Sequence, residues 1–433
     1  MARILLINAF VIGENTGTGQ TFKNIFADYP KDKILQFCVE ERNIKNYLSP
    51  ITTIYSKREY YPIDNFIRNN KVISFFRNRT YADAGSFPVF HADTKVTIKS
   101  ALHDFLRGIL DMSKISLPTS LIRSIDDFAP EVIYTCGASI RILKITNFFA
   151  ERYNINIILH LMDDWPETIY TTSFLSSFAH KIILKEMKKV NGRSLQNFAI
   201  SPMLAKKYSN IFNKPYIPLM NPAVEITEKP IENNSQVIRF TYTGSLSLNR
   251  WQSLLEIANV LQKLRNSGVN NEFHLYVPSN LNTEENSKLF SKKGATLFDY
   301  VPSNEVSKVL AKSDVLVFTE SFEERIVSFT ELSLSTKIPE YMGAGKPILA
   351  FLPSSLFSSE YIQEKEVGLV TNNIQELEEI AIRLITDLHL RRTLAENSIR
   401  CALNEHSLDI AWQKLKYAVE VSTKQEIGQE QYG

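Results

Sequence analysis

The sequence predicts an α/β protein made of two Rossmann-like halves, and three stretches carry that prediction. The chain opens on an apolar run, Ala2 to Phe10, followed by the glycine-bearing loop VIGENTGTGQ and a helix from near Thr18. The same order of strand, glycine turn and helix returns in the second half. There Val237–Thr243 runs into TGSLSLNRW ahead of the amphipathic helix Gln252–Leu264. The third stretch, STKIPEYMGAGKPILAF at residues 335–351, reads as a short helix, a glycine stop and a buried strand. A chain of 433 residues is long enough for two domains with substantial cores. We place the first domain at 1–220, a polar, proline-bearing linker at 221–236, the second domain at 237–405, and a terminal helix and tail at 406–433.

Composition sets the class. Hydrophobic content of 44% and charged content of 22% belong to a soluble globular protein. No apolar run reaches the roughly 18 residues that suggest a membrane span. MARILLINAF passes straight into a strand without a small-residue cleavage site, so no signal peptide is read and a cytoplasmic location is expected. Cys38, Cys136 and Cys401 are scattered through apolar surroundings, as reduced core thiols are, and form neither a disulfide frame nor a metal site. The net charge of +2 conceals a split, since residues 1–222 hold 28 Lys+Arg against 19 Asp+Glu and the remainder 21 against 28. The first half is therefore expected to meet something anionic. No nucleic-acid motif accompanies it, which leaves a membrane surface or a lipid-linked phosphate as the expected partner.

In the first half, Gly13, Gly17 and Gly19 let the backbone approach a ligand closely, but their spacing is not the dinucleotide fingerprint. No acidic residue ends a second strand convincingly, and a nicotinamide cofactor is disfavoured. Lys33–Val39 reads as that second strand. From about Tyr55 to His103 the pattern degrades: Arg68, Lys71, Arg77 and Arg79 stand among Tyr60, Tyr61, Phe66, Phe75 and Phe76. This mixture suits a membrane interface, and a solvated helical hairpin is the plainer reading. Val132–Cys136 is a strand leading through Gly137 into a helix that ends near Tyr153. Asn156–Leu161 is the next strand, and it ends at Met162-Asp163-Asp164-Trp165-Pro166-Glu167. Ligand groups in open parallel sheets lie beyond the carboxyl ends of strands, where this cluster falls. Asp163 can orient or deprotonate a hydroxyl, and His160 is a second candidate base. Against them stand a helix-capping aspartate pair and a satisfied core histidine. Residues 180–190 read as a basic amphipathic surface helix, Phe198–Ser201 as a strand, and Tyr216–Asn221 as the last strand of this half.

In the second half, Gly244 and Ser245 form a glycine turn with Arg250 a few positions on. Phe273–Val277 is a strand, Thr296–Val301 another, and Val315–Phe318 a third, with a helix opening at Pro302 between the last two. Thr319–Leu334 is a long loop, and loops carry specificity. At 335–351, Ser335 and Thr336 are good N-cap residues, and Lys337 adds a cation to the helix's free N–H groups and dipole. That combination suits an anion such as a diphosphate. Glu340, three residues on and on the same side of the helix, can accept hydrogen bonds from the vicinal hydroxyls of a ribose. An ordinary capped helix is the competing reading. A weak strand Val367–Val370, two helices to about Asn404 and the helix Ser407–Val421 complete the chain.

The stretch built from Ser335, Lys337, Glu340, Tyr341, Met342, Ala344, Gly345, Lys346, Pro347, Ile348, Leu349 and Ala350 resembles the sugar-nucleotide-binding helix of retaining GT-B glycosyltransferases, particularly glycosyltransferase family 4. Eight residues before Glu340, where many members carry a further glutamate, stands Leu332, with Glu331 one place out of register. The departure bears on sugar contacts more than on nucleotide binding. Asp163, Trp165, Pro166 and Glu167 resemble an acceptor-side element of family 4 enzymes that build cell-surface polysaccharides. The resemblance is strong over about residues 235–405 and patchy elsewhere. It implies a GT-B fold: two Rossmann-like domains facing across a cleft, with the last helix crossing back to the first.

The resemblance further implies that the first domain binds an acceptor and the second a nucleoside diphosphate sugar, expected to be a UDP-sugar, with no cofactor and no metal. The sugar, of hexosyl type, would pass with retention to a hydroxyl of a saccharide acceptor, expected to be lipid-linked at the cytoplasmic face of a membrane. Donor contacts carry over to Gly244, Ser245, Arg250, Ser335, Thr336, Lys337 and Glu340, with the base read near Tyr300 and Val301. Gly17, Thr18 and Gly19 carry over as the N-terminal loop, and Asp163, Trp165 and Glu167 as the acceptor side. With no metal, Lys337 and Arg250 must stabilise the leaving diphosphate. The alternatives are a nucleotide-sugar epimerase on the same fold and a non-catalytic partner subunit that binds nucleotide sugars.

Overall fold

The computed structural model describes residues 1–8, 17–38, 51–54, 98–171, 176–231 and 236–424. Contacts divide the chain into two units. The first takes the described residues up to Met220 and again from Ala411, and the second spans Asn221–Ile410.

The first unit is a parallel sheet of seven strands: β1 Ile4–Ile7, β2 Ile34–Cys38, β3 Ile51–Ile54, β4 Val132–Thr135, β5 Asn156–Leu161, β6 Asn197–Ala199 and β7 Tyr216–Pro218. Their order is β3-β2-β1-β4-β5-β6-β7, with Ile4 opposite both Ile34 and Val132. β1, β2, β4, β5 and β6 are buried at every residue. Strands covered on both faces are mostly apolar, which is why these read as near-continuous runs and not as alternations, with Gln36, Asn156, His160 and Asn197 as buried polar exceptions. The terminal helix Leu408–Lys424 supplies Trp412 against Tyr29, ring centroids 6.1 Å apart, and Lys414, whose ammonium donates to Pro218 O at 2.8 Å. The C-terminal segment thus belongs to the N-terminal unit, as the GT-B resemblance implies.

The second unit is a parallel sheet of six: β8 Ile238–Thr243, β9 Asn271–Tyr276, β10 Ala295–Phe298, β11 Val315–Thr319, β12 Ile348–Phe351 and β13 Gly368–Thr371, in the order β10-β9-β8-β11-β12-β13. Its core packs Phe240, Tyr242, Leu254, Leu261, Leu275 and Val317 together. In both sheets the order reverses beside one strand, so that successive connections leave β1 and β4, or β8 and β11, in opposite directions. The crevice beyond the carboxyl ends of such a strand pair is where open α/β sheets hold ligands.

Boundaries move in places. The helix expected at Gln252–Leu264 runs Arg250–Asn266, so Arg250 opens it. The strand expected at Thr296–Val301 ends at Phe298, where pairing with β9 stops at Tyr276. Tyr300 and Val301 are therefore loop residues. The basic-aromatic stretch at 57–81 and Gly13 lie outside the described residues.

Candidate functional site

At the switch point of the second unit, β8 ends at Thr243 and the chain turns at Gly244. Its N–H donates to Tyr276 O at 2.9 Å, tying the turn to β9, and its φ of 148° suits glycine. The end of the Lys337 side chain lies over this glycine: a methyl group there would fall on the lysine's Cε and within 2.7 Å of its Nζ. The ammonium stands 5.6 Å from the centroid of the Tyr242 ring, within cation–π range. Tyr242 in turn donates to Ser245 O at 2.7 Å, so the surface under the lysine is fixed.

The helix that carries Lys337, Lys337–Gly343, is pinned to β8 by Tyr341, whose hydroxyl accepts from Thr243 N at 3.1 Å. Burial, above all else, raises that phenol to about 12. On the other side, Arg250 meets Glu320, the residue after β11, in a forked ion pair: Nε donates to Oε2 at 2.8 Å and Nη2 to Oε1 at 3.0 Å. Glu340 is partly buried, and desolvation raises its carboxyl, against the pull of Lys337 and a hydrogen bond from Asn221. Asn221 also donates from Nδ2 to Thr336 O at 3.1 Å. Desolvation and the neighbouring Arg250 charge bring Lys337 down to about 8, with Glu320 and Glu340 opposing the shift.

Lys337, Arg250, Glu340 and Gly244 therefore share one crevice, and the start of the Lys337 helix differs from expectation. Thr336 occupies the N-cap position but makes no capping bond with its side chain; the turn is closed by Ile338 N donating to Ser335 O at 3.1 Å. This corrects the hydroxyl-capped start expected from Ser335 and Thr336. Ser245 Oγ is engaged within its own turn, donating to Ser247 Oγ at 2.8 Å and accepting from Ser247 N at 3.0 Å. Tyr300, 54% exposed, and Val301 lie after the edge strand β10, two strands from β8. Glu320 and Asn221 were not singled out in the sequence. The signal for Glu320 was its place at the carboxyl end of a buried run, where ligand groups gather.

In the first unit, Asp163 follows β5 and is partly buried, and its charge adds to the burial that raises the Cys136 thiol at the end of β4. Asp164 occupies the N-cap position of the next short helix without capping it; its carboxylate instead accepts from Lys207 Nζ and from Tyr208 OH, both at 2.7 Å. Trp165 is 1% exposed, donates from Nε1 to Cys136 O at 3.1 Å, and packs on Gly137, whose φ is 72°. It braces the turn that presents Asp163 and offers no face to a ligand, which corrects its assignment to the acceptor side. Glu167 is exposed and lies 3.8 Å from His180 Nδ1. Gly17, Thr18 and Gly19 form the first turn of the helix Gly17–Ile25.

His160 is corrected from candidate base to core residue. It is fully buried, its Nδ1 pairs with Tyr134 OH at 2.8 Å and its Nε2 with Leu219 O at 3.0 Å. Desolvation holds it neutral, down to about 3, so neither nitrogen is available to a substrate hydroxyl. The metal-ligand types Cys401, Glu405 and His406 converge elsewhere, but there the Tyr361 hydroxyl donates to Glu405 at 2.8 Å and pairs with His406 Nε2 at 2.7 Å. Lys365 neutralises the same glutamate at 2.5 Å.

Residues 238–387 match the family described as glycosyl transferases group 1. Among curated proteins no match is significant. Solved structures similar in fold include HepE of Anabaena in complex with UDP and glucose, at 12% identity, covering 97% of this chain and 100% of that one with a TM-score of 0.59. They also include an E. coli trehalose-6-phosphate structure bound with UDP-2-fluoro glucose, at 11% identity, 97% and 99% coverage and a TM-score of 0.60. A third is an α,α-trehalose-phosphate synthase (UDP-forming) from Burkholderia vietnamiensis, at 10% identity, 97% and 100% coverage and a TM-score of 0.57. Residues 238–387 thus resemble the glycosyl transferases group 1 family, and the chain as a whole shares the GT-B fold of these solved structures.

Proposed function

We propose that the second unit binds a UDP-sugar and that the enzyme transfers its hexosyl group, with retention, to a hydroxyl of a saccharide acceptor held by the first unit. The observation that carries the donor reading is the seating of Lys337 over Gly244 at the switch point, with Arg250 and Glu340 beside it. Two cations and close backbone suit a diphosphate, and a desolvated carboxylate fixed by Asn221 suits a ribose. The UDP and UDP-sugar complexes of the similar structures support the choice of nucleotide. Lys337 and Arg250 would take up the charge that develops on the leaving diphosphate, without a metal ion. Asp163, presented by a turn braced through Asp164 and Trp165, would orient the acceptor hydroxyl.

Calorimetry against a panel of nucleotides is expected to rank UDP first, and Glu340→Ala to weaken it by roughly 10- to 100-fold, the worth of hydrogen bonds to a charged group. Equal affinities for UDP in mutant and wild type would remove the ribose assignment, and no binding by the wild type would remove the donor site.

The acceptor we infer is lipid-linked, in the synthesis of a cell-surface polysaccharide, with the enzyme at the cytoplasmic face of the membrane. Among the described residues no helix is long and apolar enough to cross a membrane. The excess of basic residues before position 222 supports attachment from the surface. Flotation with vesicles is expected to recover the protein on anionic but not neutral lipid, and less so as salt rises. Equal recovery on both vesicle types would end the membrane reading.

A further inference from the structure

Arg250 and Lys337 stand in one crevice, yet the sequence between β11 and the Lys337 helix was expected to contribute only a specificity loop. Its first residue beyond the strand, Glu320, is instead among the most firmly held groups of the second unit. The ion pair with Arg250 is forked and nearly dry, with side-chain exposures of 14% and 5%. Glu320 O also accepts from Ser253 Oγ at 2.9 Å, so the helix Arg250–Asn266 grips both ends of the residue. Thr319, just before it, donates to Phe351 O at 2.5 Å and fixes the strand end to β12.

We propose that Glu320 is a positioning residue of the donor site: it aims Arg250 and supplies the fixed negative charge that lets Arg250 and Lys337 both remain charged in the same crevice. This rests on the donor reading above. The pair uses the Nε–Nη2 edge of the guanidinium, which leaves the Nη1 side of the fork for a second anion. A buried pair of this kind is costly to break, so a diphosphate adds to it and does not replace it.

The charge argument follows from what faces Lys337. Arg250 comes from the helix after the glycine turn, Glu320 from the end of β11, Glu340 from the lysine's own helix, and the Tyr242 ring from β8. The helix Leu388–Glu405 packs on the turn that follows the lysine's helix, with Ile399 against Gly345 and Ser398 donating to Lys346 O. With Glu320 removed, the Arg250 charge is uncompensated, and the group best able to relieve the repulsion is Lys337, by giving up its proton. Lys337 already sits near 8, so the loss of Glu320 carries it further down, toward the neutral form at ordinary pH. Below about pH 8, UDP binding must then restore a proton that the wild type already holds.

The test is calorimetry with UDP on wild type, E320Q and E320D, near pH 6 and near pH 8. E320Q is expected to bind roughly 5-fold or more weakly than wild type near pH 8, the effect there of lowering a group that titrates near 8 by about one unit, with the gap narrowing near pH 6. E320D, which keeps the charge, is expected to close most of the gap. A gap of equal size at both pH values, E320Q binding as tightly as wild type, or E320D behaving as E320Q does, would each overturn the inference. If the wild type itself binds no UDP, the donor reading has failed instead. Should E320Q melt early because Arg250 is left buried and unpaired, E320Q/R250M removes both charges. It is expected to fold and to show no widening of the gap toward pH 8, and persistence of that widening would also overturn the inference.

Discussion

Replacing Lys337 with alanine is expected to lower kcat by about 100- to 1000-fold, the usual cost of one preorganised donor to a developing anion. Donor KM should change much less. A lysine at this position interacts with the diphosphate before and after bond cleavage. Its charge matters most as the sugar–phosphate bond lengthens and negative charge gathers on the β-phosphate. The side chain is already in place, seated over Gly244 and against Tyr242, so no reorganisation is needed at the moment of reaction. Arg250 offers partial redundancy, and a Lys337/Arg250 double variant is expected to be close to inactive. The pH profile carries the same signature. Burial and Arg250 pull Lys337 down to about 8, so its charged form dominates below that pH. The wild-type kcat/KM for donor should therefore fall as pH rises through about 8, and Lys337→Arg should shift or remove that limb because arginine stays charged. Steady-state rates for the single and double variants, with EDTA present, decide it. Wild-type turnover in Lys337→Ala, or a parent enzyme that EDTA silences, would mean that the leaving group is handled elsewhere.

The fold was legible because it is written in short-range terms. Buried parallel strands are continuous apolar runs, helices carry their period, and glycine turns separate them, so both sheets could be expected from runs such as Val132–Cys136 and Val315–Phe318. The site was legible only where its parts lie close in sequence. Lys337 and Glu340 share one turn of helix. Glu320 gains its meaning from Arg250, 70 residues away, and Asn221 from Thr336, 115 residues away, and no local pattern records such pairings. His160 shows the reverse error. A histidine late in a strand before an acidic turn looks like a base, yet Tyr134 and Leu219, from two other parts of the chain, take both of its nitrogens. Serine and threonine before Lys337 look like a cap, but the helix is only 7 residues long and starts from a turn already closed by backbone. Trp165, two residues after Asp163, opens the next short helix and faces the interior, where its indole donates to Cys136 O, a contact from another part of the chain.

Replacing Gly244 with alanine is expected to cost about 100-fold in kcat, approaching the loss from Lys337→Ala, although it touches no charged group. The added Cβ would occupy the space that Lys337 Cε now fills, with Tyr242 OH 3.1 Å away on the remaining side. Backbone cannot give here, since Gly244 N is bonded to Tyr276 O at 2.9 Å, whereas the lysine tip is the end of a flexible chain and can. The tip therefore moves, and the ammonium leaves its seat over the turn. The φ of 148° adds backbone strain of about 1–3 kcal/mol, which should show as a lowered Tm but leave the protein folded. Two effects are thus separable. If the glycine serves the lysine, adding Gly244→Ala to Lys337→Ala should cost little further activity, because the side chain it displaces is already gone. Full additivity of the two losses would instead mean that the turn acts through its own backbone, by close approach to the ligand. Thermal melts, kcat and KM for the two single variants and the double variant make the distinction. A Gly244→Ala enzyme with wild-type turnover would show that the position of the Lys337 ammonium over the turn is not what the chemistry uses.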